Sequence, residues 1–214
     1  MLITFEAPGV QLTQVPGAVT YTFNSLTANT TYTNVVAPFG VYDRVFVSPP
    51  NSWGGSGQTN YMAVGSQSGW TTTTLTLTSL SSYFGLYWAA GDAQNYLDFY
   101  NGNSLVVSIS LGTLSSRLTS AYYGNPNNGQ DTSEPFAYLN FYGENGVTWN
   151  RIVFRNLSTG TGYETDSHAV LAAVQNPPST PGGSLDVPTI PEPASSLLLA
   201  AGLIALGLLR KSRT

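Results

Sequence analysis

Cysteine is absent from the 214-residue chain, which excludes disulfide frameworks, thiolate zinc sites and cysteine nucleophiles together. Lysine is missing from residues 1–186, where Arg44, Arg117, Arg151 and Arg155 face ten acids and set a net charge near −6. A lysine-free anionic surface repels phosphate backbones, so nucleic acid is not an expected partner. Histidine occurs once, as His168; a Ser-His-Asp arrangement or an imidazole metal site would have to use it, and neither GxSxG nor HExxH surrounds it. Gly54, Gly55 and Gly57 fit neither GxxxxGK[ST] nor GxGxxG, and no helix pattern follows them. They read as loop glycines rather than a phosphate cradle. The opening stretch, MLITFEAPGV, has no basic residue and no sustained apolar run, so it does not read as a secretory signal.

What the chain does contain is threonine, serine, asparagine, glycine and tyrosine, a mixture that favours strands and turns. β-Branched and aromatic segments recur at 2–6, 19–26, 32–36, 44–48, 61–64, 73–79, 83–88, 96–100, 104–111, 136–142, 149–156 and 168–174, separated by Gly, Pro, Asn or Ser. In TTTTLTLTSL, Leu75 and Leu77 share one face and Thr74, Thr76 and Thr78 the other, the pattern of a strand covering a core on one side. Asn101-Gly102-Asn103 is a hairpin signal, because Asn and Gly accept positive φ. With no amphipathic helix pattern, residues 1–174 are expected to form an all-β head: an antiparallel β-sandwich, jelly-roll-like in type. Two long loops are expected at 49–60 and 123–135. Residues 175–190, rich in Pro, Gly and Ser, read as a disordered linker.

Beyond the linker the chain changes character. Pro191-Glu192-Pro193 precedes an apolar run of 16 residues, 194–209, and then a basic tail, 210–214, carrying Arg210, Lys211 and Arg213. A helix over that run would span roughly 24 Å, short of the roughly 30 Å hydrocarbon core of a bilayer. It reads as a marginal hydrophobic span, aided by snorkelling of Arg210 and Lys211. The flanking cations are expected to stay cytoplasmic, leaving the head across the membrane.

These three parts, in this order, resemble the PEP-CTERM sorting signal of exported bacterial proteins that exosortases recognise. The resemblance implies an exosortase as partner, reading or cutting the chain around Pro191, Glu192 and Pro193, with the helix and the cations holding the segment at the membrane. The prolines keep Glu192 extended, as suits a peptide presented to an enzyme cleft. The head resembles a subgroup of exosortase-dependent surface proteins in ITFEAPG, SSYFGLYWAAGDAQNYLDFYNGNSLV and YETDSHAV. That resemblance also implies an N-terminal signal peptide, which this sequence does not display, so the natural start is expected upstream of Met1.

Within the head, YETDSHAV places Glu164, Asp166 and His168 on one face of a regular strand. The preferred reading is a solvated polar face. A second reading rests on resemblance to jelly-roll carbohydrate-binding modules, which implies a structural calcium on an early glutamate and a late acid, here Glu6 and Asp166. Catalysis is not expected; Asp92 with Asp98, or Glu134 with Glu144, could in principle serve a secreted glycoside hydrolase. Trp88 and Trp149 sit in strand patterns and read as core, whereas Trp53 lies in a Gly-rich loop and is the candidate platform for a sugar ring. The leading expectation is an exported, non-catalytic surface or extracellular-matrix (biofilm-type) protein. The alternative is a carbohydrate-binding module, with extracellular polysaccharide as partner, displayed by the same route.

Overall fold

The computed structural model describes residues 1–174 and 182–187. The sorting segment at 191–193, the apolar run and the basic tail lie outside the described residues.

Among the described residues there are thirteen strands: β1 (Leu2–Phe5), β2 (Val19–Tyr21), β3 (Thr30–Ala37), β4 (Gly40–Ser48), β5 (Tyr61–Gly65), β6 (Thr72–Ser81), β7 (Tyr83–Ala89), β8 (Asn95–Asn101), β9 (Ser104–Ser110), β10 (Ala137–Tyr142), β11 (Trp149–Asn156), β12 (Gly162–Leu171) and β13 (Ser184–Asp186). Every pairing is antiparallel. The expected dominance of antiparallel β-structure is therefore seen. The expected pair of separate sheets is not: the strands form one continuous sheet in the order β13-β1-β10-β7-β12-β5-β4-β6-β11-β8-β9, with β2 on β12 and β3 on β4.

That sheet curls until its two halves meet. Phe84 of β7 lies 6.1 Å from Phe99 of β8 and 6.0 Å from Phe154 of β11, and Phe141 of β10 lies 5.4 Å from Phe99. Neither β7 nor β10 pairs with β8 or β11, so the rings must touch across the interior of the curl. Strand alternation supplies them: Phe84, Leu86 and Trp88 point inward from β7, and Leu139 and Phe141 from β10, all buried. Burying aromatic side chains on both inner faces stabilises the curl by about 2–3 kcal/mol for each large apolar residue. Leu75 and Leu77 are buried as expected, and β8 and β9 join through a tight turn at Gly102, φ +57°.

β12 joins the two halves. One of its edges pairs with β7 along most of its length, while the other pairs first with β5 and then with β2. The outer face of the other half, around β6, β11 and β8, carries three cations on aromatic rings: Arg151 over Tyr100 at 4.1 Å, Arg155 over Tyr96 at 4.4 Å and Arg44 over Trp70 at 5.0 Å.

Part of the presumed linker is structured. Ser184–Asp186 pairs with Leu2, Ile3 and Thr4, and Leu185 and Val187 pack against the main core. The physical reason is the free backbone edge of β1, which any extended segment with a suitable apolar residue can satisfy.

Candidate functional site

The outer face of β1, β10, β7 and β12 is roofed by three loops rather than exposed. The loop at 7–18 brings Val15 onto Tyr83, Tyr142 and Ala169, and the loop at 123–135 ends on Phe136, packed with Tyr87 and Tyr138. The loop at 49–60 lies between them. Asparagine side chains tie the loops to one another: Asn125 Nδ2 donates to the carbonyls of Asn51 (3.0 Å) and Ser52 (3.2 Å), Asn127 Nδ2 donates to the carbonyl of Gly55 (2.9 Å), and Gln11 Nε2 donates to Asn127 Oδ1 (2.9 Å). Asparagine suits this role because its short amide can both donate and accept within a turn.

Beside these loops opens a cleft of about 430 Å³, lined by Trp53, Ser66, Gln67, Ala90, Asp92, Glu134, Gly160, Thr161, Gly162 and Glu164. Trp53 stands at its margin with half its surface exposed (50%). Glu164 comes from β12, and its carboxylate lies against Gly162, where any Cβ would collide with it. Gln67 Nε2 donates to Glu164 Oε1 at 2.7 Å.

Burial raises the proton affinity of the acids of the cleft. Burial pushes the Glu134 carboxyl up to about 8, helped by Asp131 and then Asp92. Burial first, and then the charges of Asp92 and Glu134, also raises Glu164 well above the carboxylate range. Asp92 is raised by burial and then by Asp131. Asp131 Oδ2 is closed off from solvent without an N–H or hydroxyl partner, and the proton held on Glu134 can fill that gap. With Glu134 protonated at neutral pH, the cleft offers a carboxyl hydrogen, carboxyl oxygens and the Gln67 amide beside an aromatic ring, and so can donate to and accept from hydroxyl groups.

The structure separates the pairs that the sequence suggested for hydrolysis. Asp98 is on β8, held by Arg155 (Nε to Oδ2, 2.9 Å) on the far half of the sheet, and Glu144 lies 3.6 Å from the N-terminal ammonium. Of these four only Asp92 and Glu134 reach the cleft, joined there by Glu164 and backed by Asp131 against Glu134, a set that sequence spacing could not connect.

The Glu164, Asp166, His168 row is also broken. β12 bulges between Asp166 and Ala169, with Ser167 at φ +53°, and the bulge reverses the alternation. Asp166 stays on the outer face. Its Oδ2 accepts from the Ser56 N–H (3.1 Å), the Ser56 hydroxyl (3.0 Å) and the Thr59 hydroxyl (3.0 Å), and its Oδ1 accepts from the Ser167 N–H (2.7 Å). Burial nevertheless raises it to about 6. His168 turns inward. It stacks on Phe154 at 4.8 Å, contacts Phe23 and Phe84, and has hydroxyl partners on both nitrogens: Tyr42 at Nδ1 (2.7 Å) and Thr165 at Nε2 (2.9 Å). Burial pushes it down to about 3. The predicted solvated face is therefore fully buried, its members split between two sides of the sheet.

Glu6 and Asp166, the pair implied for calcium, occupy different networks. Glu6 Oε1 accepts from Asn140 Nδ2 at 2.9 Å, and Asn140 Oδ1 accepts from the Tyr83 hydroxyl at 2.8 Å. Among the described residues, no three His, Asp or Glu side chains gather into a cation site. The tryptophans sort as expected: Trp88 and Trp149 are fully buried, and Trp53 is exposed.

The described residues thus form a mostly antiparallel β-protein whose loops build a cleft on one outer face. Its C-terminal segment supplies the second step, because residues 189–211 match the family model of the PEP-CTERM protein-sorting motif. The chain carries that motif, which supports export and exosortase-dependent sorting. No curated protein matches the chain. Among solved structures, the catalytic domain of a GH87 alpha-1,3-glucanase in complex with tetrasaccharides matches at 14% identity and a TM-score of 0.35, covering 84% of this chain and 29% of that one. This chain spans less than a third of that protein, and so slight a likeness carries no argument. Among the described residues, no helix is long and apolar enough to cross a membrane.

Proposed function

We propose that the chain is an exported surface protein, delivered and processed through its PEP-CTERM segment, whose head binds carbohydrate without altering it. The observation that carries the binding reading is the half-exposed Trp53 ring at the margin of a cleft lined by Gln67, Asp92, Glu134 and Glu164. A flat apolar ring beside convergent polar groups is what a sugar needs, its C–H face stacking while its hydroxyls are bonded. In this reading an exosortase acts around Pro191, Glu192 and Pro193, and the run at 194–209 holds the chain in the membrane until then, with Arg210, Lys211 and Arg213 on the cytoplasmic side.

Two measurements test the two halves. A glycan array probed with the exported protein should give hits that Trp53→Ala removes; a blank array sinks the sugar reading and leaves display. Release of reducing ends from a bound glycan would turn the binder into a hydrolase using Glu134 as proton donor. For sorting, the mature C-terminus in an exosortase-positive host should lie near Glu192. An intact Thr214 on the mature protein counts against processing.

A further inference from the structure

Four side chains next to the cleft are arranged for a reaction within the protein itself. Ser48 closes β4 and sits directly opposite Tyr61 at the start of β5, while Glu164 of β12 pairs with Ala63 two residues further along β5. All three side chains project from the same outer face of the sheet. Gln67 hangs over them from the turn at 65–70. That turn is fixed by the Gly65 N–H to Trp70 carbonyl bond (2.7 Å), the Gly69 N–H to Gly65 carbonyl bond (2.8 Å) and a Gly65 at φ +105°.

The contacts converge on one carboxamide. The buried Ser48 hydroxyl donates to Gln67 Oε1, the Tyr61 hydroxyl lies 3.2 Å from the same oxygen, and Glu164 Oε1 takes the Gln67 Nε2 hydrogen at 2.7 Å. A hydroxyl nucleophile, a second donor on the carbonyl oxygen and a carboxyl group at the leaving nitrogen are the three parts of an acyl transfer. Strands and a closed turn hold them in contact, which makes the encounter intramolecular.

We propose that Ser48 and Gln67 form an ester cross-link. Ser48 Oγ bonds to Gln67 Cδ while its proton passes to Oε1, an oxygen that the Tyr61 hydroxyl polarises by a hydrogen bond, and a neutral tetrahedral intermediate forms. The Cδ–Nε2 bond then breaks as Glu164 delivers a proton to the nitrogen. Ammonia leaves, the carbonyl re-forms, and the proton shed by Oε1 restores the Glu164 carboxyl. The balance is one hydroxyl and one primary amide giving one ester and one ammonia, with no oxidant, reductant or cofactor. Gln67 and Glu164 both line the cleft, so the ammonia has a way out. Burial first raises the affinity of Glu164 for a proton and so favours the acid form that the departing nitrogen requires.

The composition gives this bond a purpose. With no cysteine anywhere and no lysine before Lys211, the head can form neither a disulfide nor a lysine isopeptide. A hydroxyl–carboxamide ester is a covalent staple that remains open to it, here tying the end of β4 to the turn after β5. This inference is independent of sugar binding, although loss of Nε2 would uncover Glu164 towards the cleft.

Intact mass of the purified, denatured full chain is the test. The protein should be lighter than its Ser48→Ala variant, after correction for the substitution, by the mass of one ammonia. Fragmentation should then show the peptides holding Ser48 and Gln67 joined, and hydroxylamine should separate them. Gln67→Glu should have its full sequence mass, and Glu164→Gln should mature more slowly. A wild-type chain at its full sequence mass overturns the proposal, whatever the variants do. So does a lost ammonia that persists in Ser48→Ala, which would instead mark succinimide formation at Asn101, Asn128 or Asn145, each followed by glycine.

Discussion

Asp166 receives both the backbone N–H and the hydroxyl of Ser56 on a single carboxylate oxygen, at 3.1 and 3.0 Å. That pair fastens the loop at 49–60, and with it Trp53, to the central strand β12. Ser56→Ala should lower stability by about 1–2 kcal/mol by removing one buried donor, and should speed proteolysis within 49–60. The pH dependence follows from burial, which raises Asp166 from 3.8 to about 6 in the folded state. The native protein therefore holds this proton more tightly than the unfolded chain. Its contribution is complete below about pH 4 and is lost as pH rises through 6, a change on the order of 3 kcal/mol. Urea titrations across that range should show the fall in wild type and not in Asp166→Asn; equal slopes would place the effect elsewhere.

His168 pulls the other way. Burial lowers it from 6.5 to about 3, so below pH 6.5 the unfolded chain gains a proton that the native state refuses. Stability is fully present above pH 6.5 and is lost as pH falls towards 3, by on the order of 5 kcal/mol. His168→Phe keeps a ring against Phe154 but strands the hydroxyls of Tyr42 and Thr165, so it should cost about 1–3 kcal/mol at pH 7. Its acid limb should nevertheless be shallower than that of wild type. Acid titration monitored by tryptophan fluorescence separates the two effects, and an unchanged acid limb would rule out His168 as its source.

Trp53 and Trp88 should respond in opposite ways to the same truncation. Trp53 is half exposed and shares the cleft with Glu134, so Trp53→Ala should abolish glycan binding while leaving the melting temperature nearly unchanged. Trp88 is fully buried, and its Nε1 donates to Asn95 Oδ1 at 2.8 Å. Trp88→Ala should cost about 3–5 kcal/mol and additionally leave Asn95 Oδ1 with the Asp92 N–H alone as donor. Calorimetry on both variants checks the contrast. A large loss of stability in Trp53→Ala would show the ring to be structural.

Where chemistry is local, the sequence already discloses it. The Leu75 and Leu77 alternation, the turn at Gly102, the two long loops and the different fates of Trp53 and Trp88 each depend on a few neighbouring residues. The curl of the sheet is less visible, since continuity through β12 and β5 depends on partners about a hundred positions apart. The bulge at Ser167 was hidden because Asp-Ser-His contains neither glycine nor proline, and a serine at φ +53° is held there by tertiary contacts: the Tyr138 hydroxyl donates to the Ser167 carbonyl at 2.9 Å. One unpredicted residue of bulge reversed the face of His168. The acids at 92, 134 and 164, with Asp131 behind them, come together only once three loops close over β7 and β12, whereas the pairs that sequence proximity offered, Asp92 with Asp98 and Glu134 with Glu144, lie apart.

Gly182 tests the strand that proline-rich composition concealed. Its N–H donates to the Phe5 carbonyl at 3.0 Å, and a Cβ at this position would meet the carbonyl oxygens of Phe5 and Glu6 at 2.6 Å and collide with the Tyr122 hydroxyl. Those carbonyls are backbone and cannot step aside, so Gly182→Val should detach β13 from β1. The Phe5 amide, bonded to the Gly183 carbonyl at 3.1 Å, and the Val187 amide, bonded to the Met1 carbonyl at 2.9 Å, should then exchange hydrogen faster. Protection in β7, β11 and β12 should be retained. Exposing Leu185 and Val187 should cost about 1–3 kcal/mol. It should also leave β1 as a bare edge, so the variant should self-associate at concentrations where wild type does not. Unchanged exchange at Phe5 would mean that the segment tolerates the side chain and that Gly182 does not control its docking.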